Sequence, residues 1–229
     1  MPRYRVMYAK EGPARYISHL DLIRAFERAA RRAGLPLAFT QGFNPHPKLS
    51  FAAPLAVGTA GEAEFADLEL TGNISAGIVA ESLSGMLPEG LRVIEIRLVP
   101  DSAPALMAAV DLAHYTARAV LEAPLDKEMV DKAIAEFLAG QEILVERRSK
   151  SGDKRIFDIK PGIFTMSAQI NDDIIVLDAE LKTGSSGNIR FEELLDAFTG
   201  SFNIPLRGNF ILCRKALYAA GRNKKDMLW

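Results

Sequence analysis

Apolar and polar positions alternate with a period of two in "RYRVMYAK" (3–10), where Tyr4, Val6 and Tyr8 share one side, and this predicts a half-buried strand. The period then changes to that of a helix. "SHLD" (18–21) sets a serine cap with an acid three residues on, and Leu22, Phe26, Ala29 and Ala33 form one apolar stripe. Arg24, Arg28 and Arg31 share another side of the same helix, Gly34 ends it and Pro36 prevents its resumption. "LPLAFT" (35–40) reads as the next strand. After "QGFNPHPKLS" (41–50), the apolar "LSFAAPLAVG" is broken by Pro54 and reads as an irregular or edge strand. "EAEFADLEL" predicts a strand from Ala66, Leu68 and Leu70, "SAGIVAESLSGML" a helix, and "LRVIEIRLV" a closing strand. The order β-α-β-β-α-β is the ferredoxin-like pattern.

The pattern then recurs. Residues 101–112 are a Pro/Ala-rich connector with room for one short helix. Beyond it come a strand in "HYTARAVLE", a helix in "PLDKEMVDKAIAEFLAG", and a hairpin of "EILVERRSK" and "KRIFDIK" around Ser151-Gly152-Asp153. A second hairpin turns at Asp172, followed by a helix in "NIRFEELLDAFTG" and a last strand in "RGNFILCRKALY". The expected fold class is α+β: tandem ferredoxin-like (βαββαβ) halves with antiparallel sheets, residues 1–100 and 113–229, the second with an extra hairpin.

Composition narrows the class. Apolar residues make up 48% and charged residues 25% of 229, as in a globular protein. No apolar run reaches the roughly 20 residues of a membrane helix, and no secretory pattern opens the chain, so a cytoplasmic protein without membrane contact is expected. A single cysteine, Cys213, excludes a disulfide framework and a cysteine-built cluster. The net charge of −1 hides an asymmetry, because residues 1–50 hold nine basic side chains against three acidic ones. Further basic clusters occur at Arg147, Arg148, Lys150, Lys154 and Arg155, and at Arg207, Arg214, Lys215, Arg222, Lys224 and Lys225, while acids concentrate between Glu62 and Asp131. That is the footprint of a phosphate-bearing partner.

Two places could carry chemistry. Pro45 and Pro47 force Asn44 and His46 into extended conformations, so the histidine is presented from a stiff loop. Arg15, Ser18, His19 and Asp21 lie at a helix start, where backbone amides attract anions and a neutral imidazole is favoured. His19 and His46 with Asp21 could act as acid and base on RNA through its 2′-hydroxyl. The same groups with His114 lack any metal-ligand spacing, so no metal is expected. "TGSSGN" lacks the lysine of a phosphate loop. Tyr4, Tyr8, Phe39, Phe43 and Phe51 interleave with Arg3, Arg5 and Lys48, as in base-stacking sheets, although most of these aromatics are expected in the core.

The run from Tyr4 to Gly58, with "SHLDL", "RAFERA", "RRAGLP" and "GFNPHPKLSFA" in order, resembles the radical-SAM-linked protein family, a bacterial domain of unknown function. The resemblance extends through "HY" at 114–115 and is weakest after Lys182. It implies a bacterial protein, fused to or encoded beside a radical S-adenosylmethionine enzyme. That partner would carry the S-adenosylmethionine and iron–sulfur cluster, since this chain lacks the CxxxCxxC ligands and is expected to bind no cofactor. The leading expectation is an auxiliary RNA-binding domain, accessory more than catalytic, acting with that enzyme on structured RNA such as ribosomal or transfer RNA. Arg15, Arg24, Arg28, Arg31 and Lys48 would meet phosphates, and Gln41, Asn44 and His46 a base or the 2′-hydroxyl. The alternatives are an RNA-processing or RNA-modifying enzyme using His19 and His46, and a module that docks the radical enzyme without touching nucleic acid.

Overall fold

A computed structural model describes residues 1–148, 152–219 and 228–229. Lys150, Arg222, Lys224 and Lys225 of the basic clusters lie outside the described residues. The fold is α+β with mostly antiparallel sheets, and the chain forms two compact units, Met1–Asp111 with Cys213–Trp229, and Leu112–Leu212.

In the first unit the elements run β1 (Arg3–Lys10), α1 (His19–Arg32), β2 (Leu49–Phe51), β3 (Ala60–Glu69), α2 (Ala76–Ser84), β4 (Leu91–Val99) and the short α3 (Leu106–Ala109). The strand order is β4-β1-β3, with β2 also on β3, and all of these pairings are antiparallel. Period-two alternation puts Tyr4, Val6, Tyr8, Ala66 and Leu68 on the side that packs against Leu22, Phe26, Ala29 and Ala30 of α1 and Val79 and Leu83 of α2. Tyr8, Phe26 and Phe51 meet edge to face in the middle of this core. Ser18 caps α1 by accepting from the Asp21 amide at 3.2 Å.

The chain between Leu35 and Phe51 departs from expectation. In place of a strand over 35–40 there are two isolated bridges, Leu37 to Leu70 and Phe39 to Pro47. Pro36 and Pro47 withhold the amides that a continuous ladder would need. The strand expected over 49–58 shrinks to Leu49–Phe51, and the stretch up to Pro54 supplies carbonyls to a buried arginine instead.

The second unit contains β5 (Val110–Leu121), which begins on the last residues of the first unit, then α4 (Lys127–Ala139), the ribbon β6 (Leu144–Arg148) and β7 (Lys154–Asp158), β8 (Ile163–Asn171), β9 (Ile174–Lys182), α5 (Phe191–Phe202) and β10 (Leu206–Ala219). Its sheet order is β10-β5-β9-β8, with β6 and β7 forming a separate two-stranded sheet. Arg147 ties this ribbon down by a two-point bond to Glu193, with Nη2–Oε2 at 2.7 Å, and by lying over Phe157. Helix α5 continues through Gly200 and closes on Asn203 in the left-handed region.

The chain was expected to stay in its second half from residue 113 onward. Instead Cys213–Trp229 belongs to the first unit. The reason is local pairing: Cys213 and Arg214 of β10 lie parallel to Ala60 and Gly61 of β3, and Arg214 finds its counter-ion there.

Candidate nucleic-acid interface

Helix α1 turns an apolar stripe inward, which leaves its arginines on the outside. Arg24, Arg28, Arg31 and Arg32 are all exposed. Arg24 pairs with Asp21 at 3.2 Å and Arg31 with Glu27 at 2.8 Å, one turn away in each case. Arg28 donates to the Arg24 carbonyl and Arg32 to the Met86 carbonyl, and among the described residues neither forms a salt bridge. Arg15 folds over the ring of Tyr16, 4.7 Å from its centroid, and hydrogen-bonds the tyrosine hydroxyl.

Beside the last turn of α1 stands the loop of the "QGFNPHPKLS" segment. Its neck is fixed by the Thr40 amide donating to the His46 carbonyl at 2.9 Å, the His46 amide to the Thr40 hydroxyl at 3.0 Å, and the Lys48 amide to the Ala38 carbonyl at 2.8 Å. Arg31 stacks over Phe39 at the base of this neck, 5.6 Å from the ring centroid. The tip, Gln41 to Pro45, is exposed throughout, and His46 is exposed as well. Lys48 is half-buried and spent on Glu69 at 2.9 Å, so it braces the loop and is poorly placed to meet a phosphate.

His19 is at the other end of α1. Its ring packs edge to face on Phe51 at 5.6 Å. The stretch of α1 from His19 to Arg31 spans about 18 Å at 1.5 Å per residue. The structure therefore places the neck of the loop that carries Gln41, Asn44 and His46 beside Arg31, and sets His19 and Asp21 at the other end of α1. Asp21 is held by the Ser18 hydroxyl at 2.7 Å and by Arg24, and these bonds keep its carboxyl below its ordinary range. His19 is kept neutral, but by burial first and by the nearby charge of Lys10 second. The helix start on which the sequence argument relied is not the main cause. His114 lies in the second unit, 3.2 Å from Asp178, and among the described residues no group of three or more histidine, cysteine or acidic side chains is placed to hold a metal.

Sequence reasoning missed a polar centre under β1 and β3. Arg214 is fully buried and makes a two-point pair with Glu64, Nε–Oε1 at 2.8 Å, and donates to the Ala53 carbonyl at 2.6 Å. Tyr8 and Lys10 are buried in the same unit, and the Lys10 ammonium donates to the Ile17 carbonyl at 3.2 Å, tying the end of β1 to the entry of α1. Burial lowers the Lys10 pKa against the pull of Glu64, and burial together with Glu64 raises that of Tyr8. The signal was present in the alternation: Lys10 shares parity with Tyr4, Val6 and Tyr8, and Glu64 with Ala66 and Leu68. Arg5, on the opposite parity, is also buried, bidentate to Asp67 at 2.7 and 2.8 Å. It therefore cannot serve a base-stacking sheet face.

Over residues 3–191 the chain matches the family described as "Uncharacterized protein conserved in bacteria (DUF2344)". The chain belongs to this family. No curated protein matches it. Among solved structures, a chain of a Cbf5–Nop10–Gar1 complex is similar in fold, with a TM-score of 0.54 and 10% identity over 95% of this chain and 50% of that one. A chain of the archaeal box H/ACA sRNP Nop10–Cbf5 complex follows, with a TM-score of 0.48 and 9% identity over 92% and 46%. This chain thus spans about half the length of those neighbours. No helix among the described residues is long and apolar enough to cross a membrane.

Proposed function

We propose that this DUF2344 protein binds structured RNA through α1 and the loop beside its last turn, as an accessory domain and not as the catalyst. One observation carries the reading: a single helix exposes four arginines, two of them without a salt bridge among the described residues, and Arg31 near its end stands against the neck of a loop that offers Gln41, Asn44 and His46. Guanidinium groups supply the phosphate contacts that position a protein on RNA, and the amide and imidazole groups reach base edges or the 2′-hydroxyl. We read the βαββαβ order of the first unit, and of the second with the β6–β7 ribbon as an insertion, as ferredoxin-like, an architecture that suits such a surface. The sequence resemblance adds a partner, a radical S-adenosylmethionine enzyme to which this chain would deliver the RNA.

Catalysis by His19 and His46 is the weaker reading, because an acid–base pair has to meet at one substrate and these two belong to opposite ends of α1. The test is binding of a labelled transfer RNA measured against salt concentration. Affinity is expected to fall steeply as salt rises, and Arg28→Ala to reduce the slope of log K on log salt by about one. Lys48→Ala, already paired with Glu69, is expected to change that slope little. Binding that is undetectable or insensitive to salt sinks the reading.

A further inference from the structure

Phe43 occupies the tip of the loop and is fully exposed. All twelve phenylalanines of the chain lie within the described residues, and after Phe43 the next most exposed is Phe164 at 53%. A ring this large gains free energy from burial, so its display at the tip above a hydrogen-bonded neck leaves it available to a binding partner. Neighbouring features keep the ring displayed. Gly42 has φ of +134°, a conformation that L side chains rarely adopt, and Pro45 and Pro47 stiffen the return of the chain to the neck. The neck bonds between Thr40 and His46 fix the base of the tip, so little ordering entropy is lost when something binds.

The surroundings select the occupant. Gln41 and Asn44 lie on either side of Phe43 along the exposed tip and offer amide donors and acceptors, and Arg31 at the end of α1 stands over Phe39 at the base of the loop. A flat apolar face, hydrogen-bonding edges beside it and cationic groups behind it match the face, edge and phosphate of a nucleotide. A paired base within an A-form helix hides its face between its neighbours, whereas an unpaired base in a loop, bulge or end exposes it. We propose that Phe43 is a stacking platform for an unpaired base, and that the interface prefers single-stranded or looped RNA to duplex RNA. This rests on the RNA reading above and names its substrate class.

The test uses the full chain, a short unstructured oligoribonucleotide, and the same sequence annealed to its complement. Phe43→Ala is expected to weaken binding of the single strand about tenfold and to change duplex binding by less than about twofold. Phe43→Trp is expected to keep the single-strand affinity, with its indole emission quenched as a base stacks on it; Trp229 is the only tryptophan of the natural chain. Arg28→Ala is expected to weaken both RNAs. An equal loss for both RNAs in Phe43→Ala, no loss in either, or unchanged emission from Phe43→Trp on binding overturns the stacking role. If Arg28→Ala still weakens binding in that case, RNA recognition itself stands. If the wild-type chain binds neither RNA, both readings fall together.

Discussion

Arg214 of β10 and Glu64 of β3 form a two-point ion pair with both side chains buried, and the same guanidinium binds the Ala53 and Pro54 carbonyls. The pair thus fastens the returning C-terminal strand and the irregular stretch after β2 to the sheet of the first unit. Removing one partner leaves a buried charge uncompensated, and Arg214→Met or Glu64→Gln is expected to cost about 3–5 kcal/mol in urea unfolding. The double variant is expected to lose clearly less than the two single losses added together, because neither member of the pair is left facing a missing partner. Strict additivity would show that the pair does not act as a unit.

Gly90 sits at φ of +84° in the turn before β4, and its carbonyl accepts from the Glu11 amide at 2.8 Å. A methyl group there would meet the Glu11 carbonyl oxygen and the Ala14 side chain, a backbone contact that cannot swing aside. Gly90→Ala is expected to destabilise by about 2–3 kcal/mol, from the clash together with the unfavourable φ. Gly77 in the first turn of α2 has open space and an ordinary φ, and Gly77→Ala is expected to stabilise by about 0.5 kcal/mol. Thermal or urea unfolding of the two variants checks the opposite signs.

Local periodicity made most of this fold readable: the Ser18 cap, the Leu22–Phe26–Ala29 stripe and the alternation of β1 and β3 each specify an element together with its buried side. The return of Cys213–Trp229 to the first unit was not readable, because a pairing between residues 60 and 213 leaves no local trace. Burial of Lys10 and Glu64 was written in their parity, but charge made them look solvated, whereas the burial of Arg5, on the opposite parity, had no such sign. In the candidate interface, the prolines pointed to a stiff loop around His46. That the loop adjoins Arg31 and not His19 depends on the Phe39–Pro47 bridge and on the packing of Phe39 under Arg31, contacts that no local periodicity marks.

Cys213 lies beside Glu62, with Sγ 3.6 Å from Oε1, and burial followed by that negative charge pushes its thiol up to about 12. The thiolate is the reactive form, so near pH 8 the folded chain is expected to react with a disulfide reagent about a thousandfold more slowly than the urea-unfolded chain. Glu62→Gln is expected to speed the folded reaction, since it removes the second-largest cause while leaving the burial. Rapid labelling of the folded protein at neutral pH would contradict this account of the site.

His19 is held neutral by burial against Phe51 and by the charge of Lys10, so its pKa in the folded chain lies below the ordinary histidine value of about 6.5. The sign of the linkage follows. Above that value the imidazole is neutral in both states and contributes no pH dependence. As the pH falls below it, the unfolded chain takes up a proton that the folded chain resists, and stability is lost until the folded imidazole also protonates. Wild-type stability measured against His19→Gln, which cannot titrate, is therefore expected to decline from about pH 6.5 downward, while the two curves run parallel above it. Proton NMR of the His19 ring is expected to give a midpoint below the ordinary value. Lys10→Met removes the second cause and is expected to bring that midpoint part of the way back. A midpoint above the ordinary value in the wild type would mean that a carboxylate, and not burial, governs this imidazole.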